Sequence, residues 1–177
     1  LAALILLDLS QSTNERVRSG ETTVLELTRE AAALLADAMA KLGDPFAIHG
    51  FSSNGRHEVN YRRFKDFGEA HGPASRARLA GMRGEFSTRM GAAMRHAGSL
   101  LARRPEKKRL LLVLTDGAPS DVDVRDPQYL RADARKAVEE LSRAGVATFC
   151  ISLDPAADDY VARIFGASRY AVVDRVE

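Results

Sequence analysis

The stretch LILLDLSQS, residues 4–12, places four apolar residues directly before a loop that carries one carboxylate and two hydroxyls. A second stretch of the same kind, LLLVLTDG, lies at residues 110–117. Short apolar runs that end in polar residues are typical of strands buried on both faces of a parallel sheet. Both stretches therefore predict a buried strand, over 4–7 and 110–114, that delivers polar side chains to one edge of a sheet.

Further strands alternate with helices along the rest of the chain. Apolar runs predict buried strands at residues 45–51, 146–153 and 170–173, and residues 58–64 are expected to form an edge strand. Apolar residues spaced three and four apart predict helices over 24–42, 90–101 and 130–144, with a shorter one near 158–165. This alternation predicts an α/β, Rossmann-like fold of three layers. Its mostly parallel sheet of about six strands has one antiparallel edge strand and helices on both faces.

Composition limits the classes of protein to consider. The 177 residues, 45% hydrophobic and 28% charged, suit one soluble domain over residues 1–177. A net charge of +2 requires neither a nucleic acid nor a membrane partner, and the apolar start is too short to span a bilayer. The single cysteine, Cys150, favours a reducing, cytoplasmic setting. A start on a buried strand without methionine indicates a fragment of a longer chain.

Five polar residues carry the chemistry. They follow the first and 110–114 strands or precede the 90–101 helix, and are Asp8, Ser10, Ser12, Thr88 and Asp116. The carboxyl ends of parallel strands meet at one edge, where ligands of such folds bind. Two carboxylates and three hydroxyls, without histidine or cysteine, are hard oxygen donors that suit Mg²⁺, Mn²⁺ or Ca²⁺.

These residues match a known pattern. Asp8-x-Ser10-x-Ser12, Thr88 before Gly91, and Thr115-Asp116-Gly117 resemble the metal-ion-dependent adhesion site of von Willebrand factor A (VWA) domains. The resemblance implies that Ser10, Ser12 and Thr88 bind the metal directly. It also implies that Asp8 and Asp116 act mainly through water, and that a carboxylate of another protein takes an open coordination position.

A narrower resemblance covers the whole chain. Segments at residues 8–13, 42–45, 50–53, 88–91 and 114–117 are similar to the C-terminal VWA domain of the CbbO and NorD proteins. That family works beside a MoxR-type AAA+ ATPase. CbbO-like members serve with the CbbQ ATPase on Rubisco, whereas NorD-like members assist maturation of nitric-oxide reductase. Residues 8–14 and 116–121 look more like CbbO, which implies a non-catalytic adaptor with Rubisco as its client.

Other interpretations of the same residues stay open. Ser10, Ser12 and Thr88 are residue types favoured in loops and at helix starts, and Thr88 suits an N-cap. An aspartate that ends the first strand also occurs in haloacid-dehalogenase-type, magnesium-dependent phosphatases, but these need a second carboxylate where Ser10 stands. No phosphate-binding loop pattern occurs, so the chain is not expected to hydrolyse ATP.

Two further charged groups are expected to be solvated. Asp121, Asp123 and Asp126 are predicted to form an exposed acidic loop, with partner contact as the second interpretation. The basic residues are predicted to form an exposed face, with an acidic partner as the alternative; they are Arg62, Arg63, Lys65, Arg76, Arg78 and Arg83.

Overall fold

The computed structural model describes residues 1–17 and 20–173, and its strands form a single six-stranded sheet. The strands are β1 (Ala2–Asp8), β2 (Phe46–Ser53), β3 (Val59–Lys65), β4 (Arg109–Thr115), β5 (Ala147–Ser152) and β6 (Tyr170–Val172). Their order across the sheet is β3-β2-β1-β4-β5-β6, and β2 and β3 alone are antiparallel. The predicted mostly parallel sheet with one antiparallel edge strand is confirmed.

Five α-helices connect these strands within the described ranges. They are α1 (Val24–Leu42), α2 (Pro73–Ala80), α3 (Met90–Ala102), α4 (Pro127–Arg143) and α5 (Val161–Phe165). Helix α2 was not predicted, because its eight residues include a single large apolar side chain, Leu79. The predicted helix near 158–165 is divided into a 3₁₀ turn, Ala157–Asp159, and α5. Tyr160 separates the two, and its hydroxyl donates to Asp154 Oδ2 at 3.0 Å.

Local chemistry sets the ends of α1. Thr23 Oγ1 accepts from the backbone N–H of Glu26 at 3.2 Å, and the Glu26 carboxylate accepts from the Thr23 N–H at 2.7 Å. This reciprocal capping satisfies two N–H groups that the helix itself leaves unpaired. The helix ends at Gly43, whose φ of 74° is a left-handed conformation that glycine adopts without steric cost.

Alternate residues of β1 face two separate cores. Leu4 and Leu6 pack in the core formed with α3, α4 and α5, whereas Ile5 and Leu7 pack in the core formed with α1 and α2. Helices α3 and α4 approach closely because Gly98 has no side chain: a Cβ there would lie 1.8 Å from Leu141 Cδ2. Both faces of the sheet are therefore covered, which confirms the three-layer α/β prediction.

The parallel direction of β1, β2 and β4 brings their carboxyl ends to one edge of the sheet. Two isolated bridges, Ser53 with Ser87 and Thr88 with Ser120, attach the segment before α3 to the same edge. The loops that carry the five predicted site residues are thus neighbours. Within the described ranges, none of the helices is both long and apolar enough to cross a membrane.

The predicted solvated basic face is wrong at Lys65. Its side chain is buried at the end of β3, and Nζ donates to the carbonyls of Phe46 at 2.7 Å and Asp66 at 3.0 Å. The Lys65 ammonium also lies 4.0 Å from the centre of the Phe46 ring. Two carbonyls and an aromatic face compensate the buried cation, and burial lowers its pKa.

Candidate metal centre

Asp8 is the centre of the predicted site. It ends β1, and only 1% of the residue is exposed. Its Oδ1 accepts from the Ser10 backbone N–H at 2.9 Å, and its Oδ2 accepts from the Thr115 hydroxyl at 2.7 Å. The Thr88 hydroxyl lies 3.3 Å from both carboxylate oxygens. The carboxylate is thereby held in a fixed position with its charge surrounded by hydroxyl and amide dipoles.

The three hydroxyls are directed at this centre rather than at helix caps. The Ser10 and Ser12 hydroxyl oxygens lie 3.0 Å apart. Thr88 contacts Asp8, whereas the residue at the N-cap position of α3 is Arg89. No side-chain capping bond is made at the starts of α3 or of the 3₁₀ turn Gln11–Asn14 that follows Ser10. The alternative interpretation of these residues as caps is therefore not supported.

Asp116 brings a second carboxylate to the centre, and one of its oxygens is unpaired within the part of the chain that the structure describes. Within the described residues, its buried Oδ1 has no hydrogen-bond partner. Burial and the neighbouring charge of Asp8 raise the pKa of Asp116 to about 6, against a smaller opposing effect of the Ser12 hydroxyl. Burial also raises the pKa of Asp8, against the hydrogen bonds that Thr115, Ser10 and Thr88 donate. The raised pKa values reflect mainly the burial of the two carboxylates, with a further effect of the Asp8 charge on Asp116.

This cluster fits a hard divalent cation. Within residues 1–17 and 20–173, no lysine or arginine forms an ion pair with Asp8 or Asp116. The same ranges contain no group of three or more His, Cys, Asp and Glu side chains suited to a metal. The oxygens here come from two carboxylates and three hydroxyls, a set that suits Mg²⁺ or Mn²⁺ better than zinc. The structure brings all five predicted residues together, and their binding of a metal stays a prediction.

A buried ion pair lies directly beside the centre. Arg89 follows Thr88, and its Nε donates to Asp121 Oδ2 at 2.8 Å, while its Nη2 donates to Asp123 Oδ1. Asp121 Oδ1 accepts from the backbone N–H groups of Gly55 at 2.8 Å and Val122 at 2.7 Å. Against the effect of burial, these bonds and those from Ser53 and Arg89 lower the pKa of Asp121.

The predicted solvated acidic loop is therefore wrong at Asp121, whose side chain is completely buried. Sequence reasoning missed the pair because Arg89 and Asp121 lie 32 residues apart and nothing local connects them. The sequence also assigns no separate role to Thr115, which stands beside Asp116 in the motif and donates to Asp8 in the structure.

Phe86 is held in strain at the edge of the centre. Within the described residues it is the only non-glycine with a positive φ, at 62°, and 43% of it is exposed. Its carbonyl accepts from Gln11 N at 2.9 Å, and Glu85 N donates to the Leu9 carbonyl at 2.8 Å. A left-handed conformation costs an L-residue about 1–2 kcal/mol. These two bonds connect the loop after β1 to the segment before α3.

The chain belongs to the von Willebrand factor type A domain family, whose pattern matches residues 4–175. It is 42% identical over 175 residues to an uncharacterized protein of Pseudomonas aeruginosa, PA0525, covering 99% of this chain and 28% of that protein. It is 38% identical over 173 residues to Protein NorD of Stutzerimonas stutzeri, covering 98% of this chain and 28% of the relative. Protein NorD of Brucella abortus is 41% identical over 173 residues, covering 98% of this chain and 27% of the relative.

These relatives confirm the predicted VWA domain of the CbbO/NorD type, while the preference for CbbO finds no support in them. The chain spans less than a third of the length of these curated relatives, 27% to 28%.

Solved structures show the same fold at low sequence identity. The PilB minor pilin of Streptococcus sanguinis has a TM-score of 0.76 at 14% identity, covering 97% of this chain and 56% of the pilin. The manganese-loaded TRAP protein of Plasmodium vivax has a TM-score of 0.68 at 16% identity, covering 98% of this chain and 68% of TRAP. These likenesses support the three-layer architecture and nothing more specific.

Proposed function

We propose that the chain is a non-catalytic, metal-dependent protein-binding domain of a NorD-like adaptor. The observation that carries the proposal is the buried Asp116 Oδ1, which lacks a hydrogen-bond partner within the described residues and lies beside a second buried carboxylate. A buried acceptor without a partner is costly, so it indicates a ligand that completes the cluster.

Each residue of the centre has a definite task in this proposal. Ser10, Ser12 and Thr88 offer neutral oxygens, whereas Asp8 and Asp116 hold the surrounding negative charge. A bound Mg²⁺ or Mn²⁺ would supply Lewis acidity and an open position for an outside carboxylate. Because the three residues proposed to bind the ion directly are neutral, none of its direct protein ligands competes in charge with an incoming carboxylate of a client protein.

The NorD relatives direct the choice of client and partner. By this resemblance, the client is nitric-oxide reductase, which would offer an exposed Asp or Glu during its maturation, and a MoxR-type AAA+ ATPase supplies the work. The chain itself is proposed to act in the cytoplasm. The alternative is a CbbO-like adaptor for Rubisco with a CbbQ-type ATPase, which rests on the likeness of residues 8–14 and 116–121 to CbbO. A phosphatase is disfavoured because Ser10 stands where its second carboxylate would be needed.

Peptide binding tests the proposal directly. A blocked peptide with one Asp in a Gly-Ser background is titrated into the chain with Mg²⁺ or EDTA, beside a control peptide with Asn in that place. We expect binding of the Asp peptide with Mg²⁺ only, lost in the Asp8→Asn variant. Equal binding of both peptides, or binding unaffected by EDTA, would overturn the proposal.

A further inference from the structure

A groove opens on the same sheet edge as the metal centre. Its volume is about 750 Å³, and it lies between the turn after β2 and the segment leading into α4. We call it the basic groove; the lining residues that matter here are Arg56, His57, Arg89, Val122, Arg125 and Tyr129. Neither the five predicted site residues nor the VWA motif include any of them.

The carboxylates of the basic groove are already engaged by the protein itself. Asp123 accepts from Arg89 and from the Arg56 backbone N–H at 2.9 Å. Asp126 caps α4, since its Oδ1 accepts from Gln128 N at 2.9 Å. By contrast, Arg56 and Arg125 are exposed, and within residues 1–17 and 20–173 neither has a carboxylate partner within 4.0 Å. Asp126 keeps its charge as a cap, so the charges around the groove are nearly balanced. The guanidinium groups of Arg56 and Arg125 nevertheless stay available to bind a carboxylate of an occupant.

The basic groove also exposes apolar surface. Val122 is 73% and Tyr129 is 62% exposed, and both line it. Exposed apolar side chains grouped beside charged ones are typical of protein-binding surfaces, where an aromatic ring packs on the partner's chain. A free inorganic anion would use the arginines but leave these two side chains exposed. The combination favours an acidic peptide segment.

The basic groove is continuous with the metal centre. Thr88 and Ser120 exchange two backbone hydrogen bonds, of 2.9 and 3.0 Å. The residues that follow them in the chain, Arg89 and Asp121, form the ion pair at the base of the groove. Consecutive Cα atoms are about 3.8 Å apart, so the base of the groove begins one residue from a predicted metal ligand.

We infer that the basic groove binds a second acidic side chain of the client segment whose first carboxylate binds at the metal centre. The inference rests on the proposed function and adds to it a rule for which client segments the chain recognises. An extended chain advances about 3.3 Å per residue. A spacing of two to four residues between the two acidic residues samples separations of about 7–13 Å in such a chain.

The test uses the Mg²⁺-loaded chain and a matched set of blocked Gly-Ser peptides. One peptide has a single Asp, others have a Glu two, three or four residues to either side of it, and controls have Gln in place of Glu. We expect at least one Asp-Glu peptide to bind about fivefold more tightly than its Gln control at low salt, about 1 kcal/mol. Arg125→Gln removes this difference without changing the affinity of the single-Asp peptide. Arg103→Gln, an equal charge change at an exposed position just after α3, leaves the difference intact.

The outcomes separate the inference from the proposed function. If no peptide binds with Mg²⁺, the proposed function fails and the inference fails with it. If the single-Asp peptide binds but every Asp-Glu peptide matches its control, the inference alone is overturned. If inorganic phosphate at equal ionic strength abolishes the difference and Tyr129→Ser leaves it unchanged, the groove is a general anion site and the assignment to a peptide segment is wrong.

Discussion

Two polar clusters, each built around a buried aspartate, lie side by side at the carboxyl edge of the sheet and differ in charge balance. In one, Arg89 pairs with Asp121 and Asp123, and backbone N–H groups satisfy the remaining oxygens of Asp121. In the other, Asp8 and Asp116 share a site with hydroxyls, and no arginine or lysine of the described ranges pairs with them. The pKa of Asp121 is lowered, whereas the pKa values of Asp8 and Asp116 are raised.

This difference in charge balance distinguishes a cluster that stabilises the fold from one that is suited to bind a ligand. A compensated ion pair holds loops together and needs nothing further, while an uncompensated pair of carboxylates costs stability unless a ligand completes it. In the proposed function, this cost is the source of the affinity of the Asp8 and Asp116 cluster for a metal. Five experiments test this difference in charge balance, in order of decreasing expected effect.

The largest effect is expected from Arg89→Met, which keeps the aliphatic bulk but leaves Asp121 buried without its cation. Removing one partner of a buried ion pair costs about 3–5 kcal/mol in the free energy of unfolding. Urea denaturation measures the loss, and Arg103→Met at an exposed position is the control, within about 0.5 kcal/mol of wild type. A loss below about 1 kcal/mol in Arg89→Met would mean that the ion pair does not stabilise these loops.

Asp8→Asn is expected to have little effect on the free energy of unfolding but a large effect on metal affinity. It removes one of two uncompensated charges while keeping an oxygen for Ser10 N, so the metal-free protein changes by no more than about 1 kcal/mol. Affinity for Mg²⁺ falls about 100-fold, as calorimetric titration would show. Unchanged affinity would remove Asp8 from the centre.

The pH dependence of metal binding follows from the raised pKa of Asp116, about 6. Below that pH a metal must displace a proton, so its apparent affinity falls as pH falls, by about tenfold at one unit below the pKa. Protonation of Asp8 adds to this loss, because its pKa is raised too. Titrations between pH 7.5 and 5 check the direction, and affinity that stays constant would contradict the charge imbalance.

Stability of the metal-free protein over the same pH range sharpens the contrast. Raised folded-state pKa values mean that the native centre takes up protons the unfolded chain does not bind, so the centre contributes added stability as pH falls toward 5. Asp121, with its lowered pKa, contributes stability that is lost only below the ordinary pKa of aspartate. Denaturation curves are predicted to show this increment in wild type and a smaller one in Asp8→Asn, where burial still raises the pKa of Asp116.

The smallest effect is expected from Thr115→Val, which deletes the 2.7 Å hydrogen bond to Asp8 Oδ2 at nearly constant volume. Loss of one such bond is worth about 1 kcal/mol, so Mg²⁺ affinity is expected to fall about fivefold by calorimetry. Thr148→Val, on β5 and away from the centre, is the matched control. An equal decrease in both variants would show that Thr115 has no particular role.

The sequence predicted those features that depend on local pattern. The strand before Asp8 and the helix from Val24 to Leu42 follow from apolar spacing, and the five site residues follow from a motif in three pieces at the ends of elements. Helix α2 is not predicted from the sequence because its apolar pattern is too short. Lys65 and Asp121 were placed in solvent because their compensating partners, the Phe46 carbonyl and Arg89, are distant in sequence.

A crystal structure of the chain soaked in Mn²⁺, with data collected at the manganese absorption edge, would test the proposed metal site directly. We predict one anomalous peak in contact with the hydroxyl oxygens of Ser10, Ser12 and Thr88, beside Asp8 and Asp116, and no such peak in Asp8→Asn crystals. A peak elsewhere in the wild-type chain, or none at these hydroxyls, would contradict this prediction.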